Sequence, residues 1–186
     1  RGSPVGRAFR IYTFGYDAAM TVDKSASVAR SYRGWADYQR QLVTVFAPLQ
    51  PAHLQLQAAP SLWSIGMIGS HIVSARAWWF NFWMKEGGQE LEDFIDWDEG
   101  EEAGERSGSD IVRALEVTWR LIESRLAAWT PADLDRQFQR PTPNEAGKRP
   151  RRTREWIIWH VLEHDIHHGG EISFSLGIHG LAGIDL

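Results

Sequence analysis

Prolines at 48, 51 and 60, the Gly87-Gly88 pair and a Pro-rich polar run from 137 to 153 cut this 186-residue chain into stretches that each repeat apolar residues every three or four positions. That period is helical, and breakers of this kind cannot lie inside a helix. The first stretch, about 25–47, carries Val28, Tyr32, Trp35, Tyr38, Leu42 and Phe46 at such steps and stops at Pro48. A second helix is expected over about 61–85, with Ser61 as its N-cap. A third is expected over about 109–129, capped by Ser109, with Ile111, Leu115, Thr118, Trp119, Ile122 and Leu126 on one stripe. The fourth opens near Thr153 and ends near Gly177 or Gly180. Between them, "TPADL" at 130–134 reads as a helical turn with Pro at its first position. "QFQRPTPNEAGKRPRRT" reads as an irregular loop or short hairpin, and the acidic run over about 89–108 as a solvated loop. With no convincing set of strands, the expected fold is all-α: a four-helix bundle with long connecting loops, an architecture that builds metal sites from side chains on facing helices.

Composition narrows the chemistry. At 43% apolar residues the chain buries one core without staples, so a single domain over 20–186 is expected, with 1–19 as an N-terminal extension or a segment added in cloning. That segment has no apolar stretch followed by a cleavage site and does not read as a signal peptide. The absence of cysteine removes disulfides, thiolate metal sites and thiol nucleophiles, leaving His, Asp and Glu as the only strong ligands for a transition metal. A formal charge of -4 gives no footprint for nucleic acid, and no apolar run approaches the roughly 18 residues of a membrane span. A cytoplasmic protein acting on a small molecule, without nucleic acid or membrane as partner, is the expectation.

The fourth segment contains "WHVLEHDIHH" at 159–168, with four histidines in ten positions. It can be parsed as His160-x-x-Glu163-His164, the inverted zinc-peptidase string, or as an i, i+4 pair, His164 and His168. On a helix turning about 100° per residue, His160, His167, His168 and Glu171 all lie within roughly 60° of His164, whereas Glu163 falls about 100° away. A face of four imidazoles directed into a bundle is costly unless the rings are hydrogen-bonded or bound to metal. Two histidines on adjacent turns can grip one ion, and a third ligand must come from another element. The best donor is His71, set in the small, apolar stretch "GMIGSHIVSARAWW". Glu163's phase and the small size of the chain both weigh against the peptidase parse.

"LWSIGMIGSHI", "TPADLD" and "WHVLEHDIHHGGEISFSLGIHG" together resemble the DinB/YfiT-like metalloprotein superfamily, over roughly Met20 to Leu186. The resemblance implies a four-helix bundle that binds one divalent metal through His71, His164 and His168. It also implies, from the superfamily's characterised branches, a thiol-dependent S-transferase or isomerase, in which a low-molecular-weight thiol is activated at the metal. His160, His167 and Glu171 would then orient the ligands or move protons. Three histidines leave a position open for water or substrate, and such an ion acts as a Lewis acid, lowers the pKa of bound water or holds a thiolate. All-nitrogen ligation suits zinc or nickel and tolerates iron, cobalt or manganese. The alternative is a metal-stabilised binding or stress-response module without turnover.

Two further features carry expectations. "GKRPRRTR" is a solvated basic loop or, through Arg151 and Arg152, a gate for anionic substrates. "WWFNFW" at 78–83 has too many aromatics for one helix face and serves either a homodimer contact or packing within the chain.

Overall fold

The computed structural model describes residues 27–185. The expectations for residues 1–19, and for the start of the domain at Met20, lie outside the described residues. Four longer helices dominate: α1 (Arg33–Phe46), α2 (Ile65–Ala77), α3 (Gly108–Ala128) and α4 (Arg154–Ile178). A 3-10 turn, Val28–Tyr32, leads into α1, and a single helical turn, Pro51–Leu54, interrupts the connection to α2. Two three-residue strands, β1 (Gln137–Gln139) and β2 (Arg151–Thr153), pair antiparallel with Phe138 opposite Arg152, so the polar run before α4 is a short hairpin. The result is an all-α helical bundle in which α2 packs against α3 and α4, and α1 lies on α3 and touches α4.

Capping explains where the helices begin. Thr153 accepts the Trp156 backbone N–H at the start of α4, as its place in the sequence predicts. The caps of α2 and α3 differ from expectation. Ser64, rather than Ser61, caps α2 by accepting from Met67, because the chain over 59–62 is spent in a turn in which the Leu62 N–H bonds the Ala59 carbonyl. Ser107, rather than Ser109, opens α3, because Asp110 stands three residues on and closes a reciprocal capping box with it.

After Ala77, α2 continues as a π-helical turn over Trp78–Trp83. There the aromatic run is packed within the chain: Phe80 and Trp83 are buried, Trp79 stacks on Trp83 at 4.5 Å, and Trp78 meets Trp79 edge-on at 4.9 Å. Close approaches elsewhere depend on glycine. A Cβ at Gly169 would stand 2.0 Å from the Tyr38 hydroxyl, so glycine there leaves room for the Tyr38 ring to reach from α1 to α4.

The acidic connection from α2 to α3 is less solvated than its charge suggests. Leu91, Phe94, Trp97 and Ala103 are buried, and two serines one turn apart on α2 hold the segment down. Ser70 donates to the Ala103 carbonyl and Ser74 to the Ile95 carbonyl, both at 2.6 Å.

The apolar core, with Leu42, Phe46, Ile72, Leu115, Ile122, Ile158 and Ile172 fully buried, surrounds one ionic knot. Asp165 of α4 and Arg76 of α2 are both completely buried, with Nη2 to Oδ2 at 2.7 Å. Trp35 of α1 donates its indole N–H to the same carboxylate at 2.6 Å, and Arg76 Nη1 reaches the Leu115 carbonyl and the Thr118 hydroxyl on α3. All four helices therefore meet at one carboxylate and one guanidinium. Removing either partner strands a buried charge, which typically costs about 3–5 kcal/mol. Arg76→Met and Asp165→Leu are each expected to lower the unfolding free energy in urea by about that amount, whereas the double change Arg76→Met with Asp165→Leu should lie closer to the parent than the sum of the singles. Single changes costing under about 1 kcal/mol would show that the knot is not structural.

Candidate metal centre

His71 lies on the second turn of α2, and His164 and His168 stand one turn apart on the facing side of α4. Each of the three offers a ring nitrogen within 4.8 Å of the others. The ring centroids are separated by 4.7 Å (His71 to His164), 4.9 Å (His71 to His168) and 4.3 Å (His164 to His168). The phase of α4 that directs these two histidines at His71 is the one that buries Asp165, the residue after His164, in the core.

The nitrogens facing away from the cluster decide the tautomers. His71 Nδ1 lies 2.5 Å from Asp98 Oδ2, and His168 Nδ1 lies 2.6 Å from Glu171 Oε2. A carboxylate accepts, so both rings carry their proton on Nδ1 and turn an Nε2 lone pair inward. Burial pushes the Asp98 carboxyl up, but hydrogen bonds from His71 and Ser74 outweigh it and leave Asp98 below its ordinary value. His164 Nε2 sits 3.0 Å from His71 Nε2, while its own Nδ1 is buried without a hydrogen-bond partner. In the absence of a cation His164 must place its one proton on Nε2 to satisfy His71, leaving a buried lone pair on Nδ1. With a cation, the proton moves to Nδ1 and three lone pairs converge. Metal–nitrogen bonds of about 2.0–2.1 Å separate neighbouring donors by roughly 3.0–3.4 Å, a spacing this cluster reaches with small side-chain movements. The residues fit a divalent ion, and the carboxylate-to-imidazole contacts are those that orient metal-bound histidines.

The two α4 rings are also held neutral, as ligands must be. Burial, reinforced by the positive charge His168, His71, His160 and His167 would carry, pushes His164 down to about 3. Burial likewise lowers His168, against the opposing hydrogen bond to Glu171.

The remaining residues singled out in the sequence divide. His160 is not among the converging donors; it stacks on Trp156 at 4.7 Å, meets Trp79 edge-on at 4.9 Å and lies 3.7 Å from Glu163, which is itself mostly exposed. The two residues that distinguish the peptidase string thus pair with each other beside the site. His167 is exposed and lies 3.4 Å from Glu171 Oε1, forming a second cluster of possible ligands with His168 and Glu171. Arg152 lies over Trp156 at 4.6 Å, and so connects to the site only through the ring that stacks on His160, while Arg151 is exposed on β2. Neither arginine lines the clefts that flank the triad.

Two residues escaped the sequence reading. Asp98 was concealed in a run of acidic residues, where only the neighbouring Trp97 hinted at a buried segment. Trp63 follows a proline-rich linker, yet its half-exposed indole covers the triad, 4.8 Å from the His71 ring and 6.4 Å from that of His168. On the Trp63 side a cleft of about 240 Å³ is bounded by Leu62, Ile68, His168, Glu171 and Phe174. On the other side a cleft of about 230 Å³ is bounded by His71, His164, His160, Trp78, Trp79 and the carboxylates of Asp96, Asp98 and Glu99.

Two outcomes follow for the metal-free and metal-bound protein. His164 and His168 titrate lower folded than unfolded, so the unfolded chain binds more protons below pH 6.5. Their contribution is fully present above about 6.5 and is lost as pH falls toward 3. The urea midpoint of metal-free protein should therefore fall between pH 7 and pH 4, and His164→Asn should flatten that slope; an unchanged slope would refute the assignment. Asp98→Asn should weaken metal affinity about 10–100-fold in a chelator competition while leaving the far-UV spectrum intact.

A family model described as the DinB superfamily matches residues 35–172, a span that includes all three histidines. No curated protein matches the chain. Among solved structures, a DinB-like protein from Bacillus cereus ATCC 10987 superposes with a TM-score of 0.62 at 18% identity, covering 86% of this chain and 97% of that chain. At that identity the likeness carries the fold alone. The family model spans most of the sequence, and by that measure the chain belongs to the DinB superfamily.

Proposed function

We propose that this protein is a metal-dependent transferase, built on a four-helix bundle of the DinB/YfiT type, that joins a small thiol to an electrophilic small molecule. The observation carrying this reading is the convergence of three imidazoles from two helices, two of them hydrogen-bonded to carboxylates, at a point flanked by two clefts. Zinc or nickel suits the all-nitrogen donor set best, and iron, cobalt or manganese is compatible with it. When bound, the ion would supply Lewis acidity and lower the pKa of a thiol or water.

The chain's own residues do the rest. Asp98 and Glu171 hold His71 and His168 in one tautomer and one orientation. Trp63 packs edge-on against the His71 ring and lines one of the two clefts. In the transfer the thiol sulfur forms a bond to carbon as the leaving group departs with its electron pair, and the thiol proton must find an acceptor. His160, on the polar cleft and kept neutral at pH 7 by burial, offers a nitrogen for it.

A non-catalytic metal-binding module is the second reading. It is favoured by the fact that the two carboxylates closest to the triad are both engaged by imidazoles, so neither is free to act as a base.

Changing His71, His164 or His168 singly to Ala is expected to abolish metal retention, read by elemental analysis of protein purified without an affinity-column metal. Full occupancy in all three variants would overturn the assignment. Metal-loaded protein should consume a small thiol in the presence of a haloarene, and the three variants should fall to the uncatalysed rate. Failure of the parent protein across neutral, cationic and anionic thiols would favour the binding module.

A further inference from the structure

The two clefts beside the triad differ in chemistry, and the difference assigns them. The cleft beneath Trp63 is walled by Leu62, Ile68, Trp63 and Phe174, and at its inner end it meets His168. Leu62, Trp63 and Phe174 are about half exposed or more, at 53%, 49% and 66%, an arrangement that leaves apolar surface in water unless something covers it. Glu171 is the only carboxylate in its lining among the described residues, and it already accepts from His168. The opposite cleft carries three carboxylates, which penalise apolar burial there.

We infer that the cleft walled by Leu62, Trp63, Ile68 and Phe174 is the acceptor subsite, taking an apolar or aromatic small molecule and presenting its reactive end to the triad at His168. Size supports a small molecule over a peptide or a second chain. A cavity of about 150 Å³ lined by apolar side chains holds benzene, so the 240 Å³ here accommodates about one substituted ring. Trp63 is the specificity-determining contact: its ring spans the cleft and the imidazoles, so a flat substrate can stack on the indole while its reactive atom faces the triad. This assignment deepens the transferase reading by naming the chemical class of its electrophile, and it rests on that reading for the word acceptor. The binding preference itself does not.

The test therefore omits thiol and turnover. Zinc-loaded protein is titrated with 4-fluorotoluene and with fluoroacetamide, an apolar ring and a small polar amide that are both uncharged, and binding is read from fluorine-19 line broadening. The apolar ring should bind at least tenfold more tightly than the amide. Leu62→Asp and Phe174→Asp alter exposed positions that the fold can spare. Each should weaken 4-fluorotoluene at least tenfold while retaining the parent's zinc content and melting temperature. Equal binding of the two probes, or undiminished 4-fluorotoluene binding in both variants, would overturn the inference. Intact probe binding without thiol consumption would instead remove the transferase reading and leave the apolar subsite standing.

Discussion

The carboxylate of Asp165 is the point on which the bundle turns. It is wholly buried, and it is made tolerable there by the Arg76 guanidinium and the Trp35 indole, while Arg76 passes the connection on to α3 through Thr118 and the Leu115 carbonyl. A buried pair of this kind adds little net stability compared with well-packed apolar residues, but it tolerates almost no rotation of the helices that carry it. Asp165 follows His164, and Arg76 lies five residues after His71. Fixing the first pair therefore fixes the roll of α2 and α4, and with it the faces that bring the three imidazoles together. Gly169, pressed against Tyr38, adds a second restraint on α4 one turn beyond the knot.

The metal centre is held from outside as firmly as from within. Its two orienting carboxylates come from different kinds of structure: Glu171 from the same helix as the ring it holds, Asp98 from the acidic connection between α2 and α3. That connection keeps its position because Ser70 and Ser74, on either side of His71 in sequence, tie it to α2 through backbone carbonyls. The segment with the most charge in the chain thus serves the site by placing one carboxylate, and its buried Leu91, Phe94 and Trp97 explain why it does not float in solvent. The centre consequently has an acidic side, made by this loop, and an apolar side, made by Trp63 and the outer turns of α4.

Much of this was legible before any coordinates. The periodic stretches and their proline and glycine breaks mark the four longer helices, and the phase of His164 and His168, together with the apolar setting of His71, marks the three rings that converge. Thr153 was readable as a cap because its threonine directly precedes a strong helical pattern. Ser61 misled because Ser64, three residues on, is an equally good cap, and the choice between them depends on a turn closed by the backbone. The buried aromatics of the acidic loop were hidden by their charged neighbours, since local composition reports solvation only on average.

Local information ends where sequence separation becomes large. Helix positions and the histidine face of α4 follow from residues within a few turns of one another, so the sequence by itself determined an all-α chain carrying a histidine-rich helix. Which residues stand opposite that helix depends on contacts such as Trp35 with Asp165, 130 residues apart, and Arg76 with Asp165, 89 apart. No period encodes those pairings, because they arise only when the helices have packed and a buried charge must find its partner. The tertiary structure alone therefore decided that Asp98 hydrogen-bonds His71, that Trp63 packs against the imidazoles, and that the two sides of the cluster differ in polarity.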